Sequence, residues 1–213
     1  PGQVFDLDPS RSAFLDRTTT EMSGSGERES DGSRTSPFDL FMLELNMPWE
    51  RWCVLGRLGE KEERVSLAEL GLEKGKEYLL YEFWSDTFLG TVTNDVVFGR
   101  IDPLYNCQLF CIRPVQQNPQ VLATSRHISC GATDLSDVVW DNGILSGIGK
   151  PVPSEEYILL IHEPAGYASP AISITGGRLL SETRDGVVRR IKMINSDGGE
   201  IAWKVNYNSS VQN

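Results

Sequence analysis

Two histidines, four cysteines, five tryptophans and thirty carboxylates are what this 213-residue chain offers for chemistry. His127 and His162 stand apart from each other, and neither completes an H-E-x-x-H metal pair, although His162-Glu163 supplies its first two letters. A lone histidine lacks the nucleophile and orienting group that a catalytic triad needs, so both are read as structural. His127, between Arg126 and Ile128, is expected on a strand, bonding a neighbouring loop. Asp86, Asp95, Asp102, Asp134, Asp137, Asp141 and Glu163 are candidates for an acid and base pair held about 5–10 Å apart. Their abundance makes exposed turns the expected place for most of them. No catalytic residue is assigned.

Gly147-Ile148-Gly149-Lys150 looks at first like a phosphate loop. The third glycine of G-x-G-x-x-G would fall at Val152, and Lys150 is followed by Pro151 rather than Ser or Thr. A phosphate loop must also open a helix, which Pro151-Val152-Pro153 does poorly. The segment reads as a turn. Cys107 and Cys111 do not have zinc-knuckle spacing, no second pair accompanies them, and G-x-S-x-G is absent. No metal and no cofactor are expected. On one strand Cys107 and Cys111 would lie about 13 Å apart, too far for a disulfide. All four cysteines have apolar neighbours, so the expectation is four buried free thiols, which favours a reducing compartment such as the cytoplasm.

The tryptophans divide by context. Trp52, Trp84 and Trp203 sit within apolar runs and are expected in the core. Trp49 and Trp140 lie beside turns, which makes them candidates for stacking a sugar ring or for docking on another domain.

These residues must be positioned by strands. Apolar runs are short, bounded by turns, and rich in Val, Ile, Phe, Tyr and Trp. Leu40 to Leu45 and Trp52 to Leu58 read as paired strands, with Gly59 to Glu63 as a hairpin tip. Val65 and Leu67 alternate with polar residues, and Leu67 to Leu72 reads as a brief helical turn ending near Gly71. Further strands are expected at Glu77 to Trp84, Asp95 to Ile101, Cys107 to Arg113, Gln120 to Ile128, Asp137 to Trp140, Tyr157 to His162, Ala171 to Ile174, Val187 to Ile194 and Ile201 to Tyr207. Gly176-Gly177, Asp185-Gly186 and Asp197-Gly198-Gly199 are turn signals between the last of them.

The predicted fold is an all-β antiparallel sandwich, split into two packed β modules over residues 37–116 and 117–213 around Pro114 to Pro119. Residues 1–36 hold a possible strand at Val4 to Leu7 and then a polar stretch, Thr18 to Ser36, with almost nothing to bury. That stretch is expected to be a loop or linker. The sequon Asn208-Ser209-Ser210 is read as a chance match.

Composition narrows the partners. A hydrophobic share of 39% supports a packed core, and a net charge of −10 disfavours nucleic acid and anionic membranes. Only Arg189-Arg190 forms a dense basic pair, and it is isolated. No apolar stretch approaches the roughly 20 residues of a membrane span, and no signal peptide opens the chain. It begins at Pro1 rather than Met, as a fragment would.

One stretch carries a family resemblance. Trp52-Cys53-Val54-Leu55-Gly56, Val65-Ser66-Leu67-Ala68-Glu69-Leu70-Gly71-Leu72, Tyr78-Leu79-Leu80-Tyr81-Glu82-Phe83 and Trp84-Ser85-Asp86-Thr87-Phe88-Leu89-Gly90 follow one another in that order. With Cys107 to Pro114 and Ser125 to Ile128, they resemble the region after the catalytic barrel in melibiase-like glycoside hydrolases, the α-galactosidase relatives. The resemblance covers Phe38 to Tyr167 and is strongest from Trp52 to Gly90. It implies a non-catalytic C-terminal β region whose partner is the catalytic barrel of the same parent protein. A barrel needs about 250 residues of alternating strands and helices, which this chain lacks. The competing expectation is a free-standing carbohydrate-binding or protein-interaction module.

Overall fold

The computed structural model describes residues 40–58, 62–101, 103–167 and 170–207. The readings at Val4 to Leu7, Thr18 to Ser36 and Asn208 to Ser210 lie outside them. Among the described residues, fifteen strands run in chain order. They are β1 Leu40–Asn46, β2 Arg51–Arg57, β3 Glu63–Ser66, β4 Tyr78–Glu82, β5 Thr87–Val92, β6 Asp95–Phe98, β7 Gln108–Pro114 and β8 Gln120–Thr124. There follow β9 Leu135–Asp141, β10 Ile144–Gly149, β11 Glu156–His162, β12 Ala171–Thr175, β13 Arg178–Asp185, β14 Val188–Ile194 and β15 Ile201–Asn206. The fold is all-β, every pairing is antiparallel, and no helix is present among the described residues. Among the described residues no helix is long and apolar enough to cross a membrane.

Among the described residues, four sheets stack in layers. A β3–β6 ribbon covers one face of the five-stranded sheet β1-β2-β7-β4-β5. Beyond it lie the sheets β13-β14-β11-β8 and β12-β15-β10-β9. The period of two along each strand assigns side chains to layers. Cys53, Leu55, Tyr78, Leu80, Phe110 and Ile112 pack toward Val65, Val96 and Phe98 of the ribbon. Their neighbours Trp52, Val54, Leu79, Tyr81 and Cys111 pack against Leu122, Ala123 and Leu160 of the next sheet. Val121, Leu159, Ile161 and Ile191 then face Leu145, Trp203 and Val205 of the last. Both middle sheets are thus covered on both sides, which is why β4 and β8 are buried at every position.

Several local expectations hold. β1 pairs β2 from Leu40↔Arg57 to Asn46↔Arg51. Ser66 and Glu69 form a reciprocal capping box, with the Ser66 amide donating to Glu69 Oε2 at 2.9 Å and the Glu69 amide to Ser66 Oγ at 3.2 Å. The turn they open closes at Gly71, whose φ of 72° suits glycine.

Others are corrected. The hairpin tip expected at Gly59 to Glu63 falls mostly on residues 59–61, outside the described residues; of its flanking strands, β2 pairs β1 and β7, while β3 pairs β6. The turn expected at Gly147-Ile148-Gly149-Lys150 is strand β10 as far as Gly149, paired with both β9 and β15. Its glycines are there for close packing. A Cβ on Gly147 would lie 2.6 Å from Trp203 Cζ2, and one on Gly149 would lie 2.8 Å from Tyr157 Cε1. Strands β5 and β13, unmarked in the sequence, complete the edges.

Candidate functional site

The block Trp84-Ser85-Asp86-Thr87 is the turn between β4 and β5, and its polar groups are tied down. Glu82, at the end of β4, accepts from the Ser85 amide at 2.6 Å, the Leu109 amide at 3.0 Å and the Trp84 amide at 3.3 Å. Asp86 adopts a φ of 51°, which an aspartate tolerates better than most residues. Its Oδ1 accepts from Tyr81 Oη and from Arg190 Nη2, both at 2.8 Å. Arg190 belongs to β14, so this turn bridges the two halves of the molecule. Burial pushes the Tyr81 hydroxyl well above its ordinary range, and the Asp86 charge adds to the shift. Phe88 follows, its ring 5.8 Å from His162.

Held on this turn is an exposed aromatic pair. Trp84 and Tyr105 stack with centroids 6.1 Å apart and planes 18° from parallel, each more than a third exposed. Phe83 braces Trp84 edge-on at 5.1 Å, and Leu104 beside Tyr105 is 76% exposed. Trp84 is therefore not the core residue expected of it, whereas Trp52 and Trp203 are buried. The reason is local: Glu82 ends the strand, so Trp84 leaves the alternation of the apolar run that precedes it.

Trp49 and Trp140 are elsewhere. Trp49 is half-buried between the two halves, 5.0 Å from Trp52, with the Arg113 guanidinium 5.4 Å from its ring centroid. Trp140 is half-buried on β9, 5.6 Å from Tyr167 and 5.9 Å from Tyr207. Neither adjoins the other in these contacts, and both rings pack against protein.

Three buried polar clusters were not visible in the sequence. Arg113, fully buried, stacks 3.9 Å from the Trp52 ring and donates to Leu122 O at 2.9 Å, to Cys130 O at 2.7 Å and to Glu50. Gln120 Nε2 donates to the other Glu50 oxygen at 3.2 Å. Burial nevertheless raises the Glu50 carboxyl, with Arg113 opposing the shift. Glu163, also fully buried, accepts from Arg189, from Arg184 Nε at 2.8 Å and from Tyr207 Oη at 2.7 Å. Asp134 accepts from Tyr157 Oη at 2.8 Å, and burial raises its carboxyl despite that bond. Asp134 and Glu163 thus depart from the exposed turn positions expected of them. Asp86 is exposed on a turn as expected, Asp137 and Asp141 are exposed but on β9, Asp95 is half-buried, and Asp102 lies outside the described residues.

His127 lies past the end of β8, not on a strand, and its Nδ1 accepts from the Ser129 amide at 3.1 Å. His162 is buried at the end of β11, and its Nδ1 meets no hydrogen-bond partner among the described residues. All four cysteines are free; Cys53, Cys111 and Cys130 are buried, whereas Cys107 is only half-buried just before β7. Among the described residues no cluster of His, Cys, Asp and Glu could hold a metal ion.

No family model, curated protein or solved structure matches this chain.

Proposed function

We propose that this chain is a non-catalytic accessory β region of a glycoside hydrolase resembling the melibiase-like enzymes, and that it docks on a catalytic barrel of the same parent through the face bearing Trp84 and Tyr105. The observation that carries the reading is that stacked, exposed pair on a turn fixed by Glu82 and Asp86. An exposed aromatic surface on a rigid support is what a docking face requires. The same turn lies in the stretch with the strongest family resemblance.

The use of the buried carboxylates supports a non-catalytic role. Glycoside hydrolysis needs an acid and a nucleophile or base that reach opposite sides of one bond. Glu50, Glu82, Asp134 and Glu163 instead bond to arginines, a tyrosine or backbone amides of their own fold.

The purified chain should show no turnover of nitrophenyl α- or β-glycosides above a buffer blank. Turnover that disappears when one local carboxylate is replaced would overturn the proposal. The competing carbohydrate-binding module rests on the same exposed pair. Affinity electrophoresis in polysaccharide gels separates the two: retardation abolished by Trp84→Ala would favour sugar binding, and unchanged mobility in a panel of gels would favour docking.

A further inference from the structure

The β4–β5 turn and the start of β5 meet the C-terminal half at two points. Asp86 gives both its oxygens to one guanidinium: Oδ1 accepts from Arg190 Nη2 at 2.8 Å, and Oδ2 lies 2.7 Å from Arg190 Nη1. Two residues on, the Phe88 ring lies 5.8 Å from that of His162. His162 pairs with Val188 and Arg190 with Leu160, and Val188 and Leu160 both pack in the joint between the halves. His162 and Arg190 therefore lie on one face of their sheet, turned toward the N-terminal half. Strand β5 is an edge, paired among the described residues with β4 alone, and its register shifts between Leu80 and Tyr81.

His162 is the sensitive member of this contact. It is buried, and its Nδ1 has no hydrogen-bond partner among the described residues. A neutral ring can leave Nδ1 without a proton, whereas an imidazolium carries one on both nitrogens. Protonation thus places a charged donor with nothing to accept from it inside the joint. The charged groups around the ring do little for it. Arg190 carries the same charge, and Asp86 is engaged with Arg190 and Tyr81. On β8, Gln120 pairs with His162 and hydrogen-bonds Glu50, which Arg113 already holds. Glu163 favours the charged ring, but it is taken up by Arg184, Arg189 and Tyr207. Burial prevails and lowers the pKa of His162, so the closed contact is favoured above pH 6.5 and lost as pH falls from there toward the folded value.

We propose that this contact is an acid-sensitive clasp: protonation of His162 releases the β4–β5 turn and the start of β5 from the C-terminal half, and so frees the face that bears Trp84 and Tyr105. Withdrawing Phe88 opens His162 to water and breaks no pairing within the C-terminal sheets. Only the use of the release, detachment from a catalytic barrel, rests on the docking role of that face; the movement belongs to the chain alone.

Hydrogen exchange of the full chain at about pH 7.5 and about pH 5, corrected for intrinsic rates and read by mass spectrometry, tests the clasp. Protection over Ser85 to Val92 should fall about tenfold in wild type on acidification, the effect of one stranded buried donor, while β2 and β15 keep theirs. In His162→Gln, whose side chain does not titrate, that fall should be absent. A second readout needs no histidine variant. The two histidines give two ring resonances in the NMR spectrum of wild type, and the Trp84 indole resonance should shift with the midpoint of His162 rather than that of His127. Protection over β5 that ignores pH, a fall that persists in His162→Gln or spreads equally to β15, or a Trp84 resonance that follows His127 would overturn the proposal. Local release in a chain that docks on no barrel would uphold the clasp and remove the docking role alone.

Discussion

Arg113 sits where one side chain has most to lose. It is fully buried, and it supplies Glu50, Leu122 O and Cys130 O with their donors. Removing one member of a buried pair strands the other charge, at a cost of about 3–5 kcal/mol. Arg113→Ala should therefore lower the unfolding free energy by about that amount in urea titrations. The double replacement Arg113→Met with Glu50→Leu should recover much of it, because apolar packing can stand in for a buried pair. A single variant that costs less than about 1 kcal/mol would show that the pair is dispensable.

His162 gives a pH dependence. Burial lowers its pKa from the usual 6.5, with neighbouring Glu163 opposing the shift. The folded protein thus takes up this proton less readily than the unfolded chain does. The stability linked to neutral His162 is present above pH 6.5 and lost as pH falls through 6.5 toward the folded value. Wild type should lose stability relative to His162→Gln as pH drops from about 7.5 to about 5. Parallel stability curves for the two proteins would refute the assignment.

At the scale of elements, the β4–β5 turn and strand β10 show two ways of fixing backbone. The turn depends on one carboxylate that accepts from three amides. Glu82→Ala leaves those donors without it in a part-buried place, and should cost about 1–3 kcal/mol. Faster amide exchange at Ser85 and Leu109 should accompany that loss, and unchanged protection there would contradict the role given to Glu82. Strand β10 depends instead on the lack of a side chain. Gly147→Ala puts a methyl 2.6 Å from Trp203 Cζ2, in a core with little room to yield. The expected cost by denaturant unfolding is about 1–3 kcal/mol, with altered Trp203 fluorescence as its local sign. A variant as stable as wild type would mean that Trp203 moves aside freely.

Across the whole molecule, the joint between the halves is a third core. Leu79 and Tyr81 of β4 and Trp52 of β2 pack against Leu122 and Leu160. The Trp52 indole donates to Ser129 O at 3.1 Å, and the Asp86–Arg190 pair closes the rim. A buried apolar joint couples the stabilities of the parts it joins, whereas a flexible linker would not. Leu79→Ala should cost about 2–5 kcal/mol, and hydrogen exchange should show the loss shared by β4 and by β11. Two separate unfolding transitions in the wild-type protein would refute this coupling.

What the sequence determined by itself was fold class and most strand positions. Period-two alternation and β-branched or aromatic runs are local signals, and they are plain in β1, β2, β11 and β15. Aspartate–glycine and glycine–glycine pairs marked turns, because the need for positive φ is also local. The polar strand β13 left no such mark, since it is an edge strand exposed at nearly every position and takes its order from pairing with β14. Gly147 and Gly149 read as a turn until Trp203 and Tyr157 were brought over them from other strands. Trp84 lies near solvent rather than in the core expected of it, because β4 ends at Glu82. The contacts of Arg113 and the burial of Glu163 were decided only by tertiary structure. Each joins residues far apart along the chain, and burial and charge pairing exist only once the sheets have stacked.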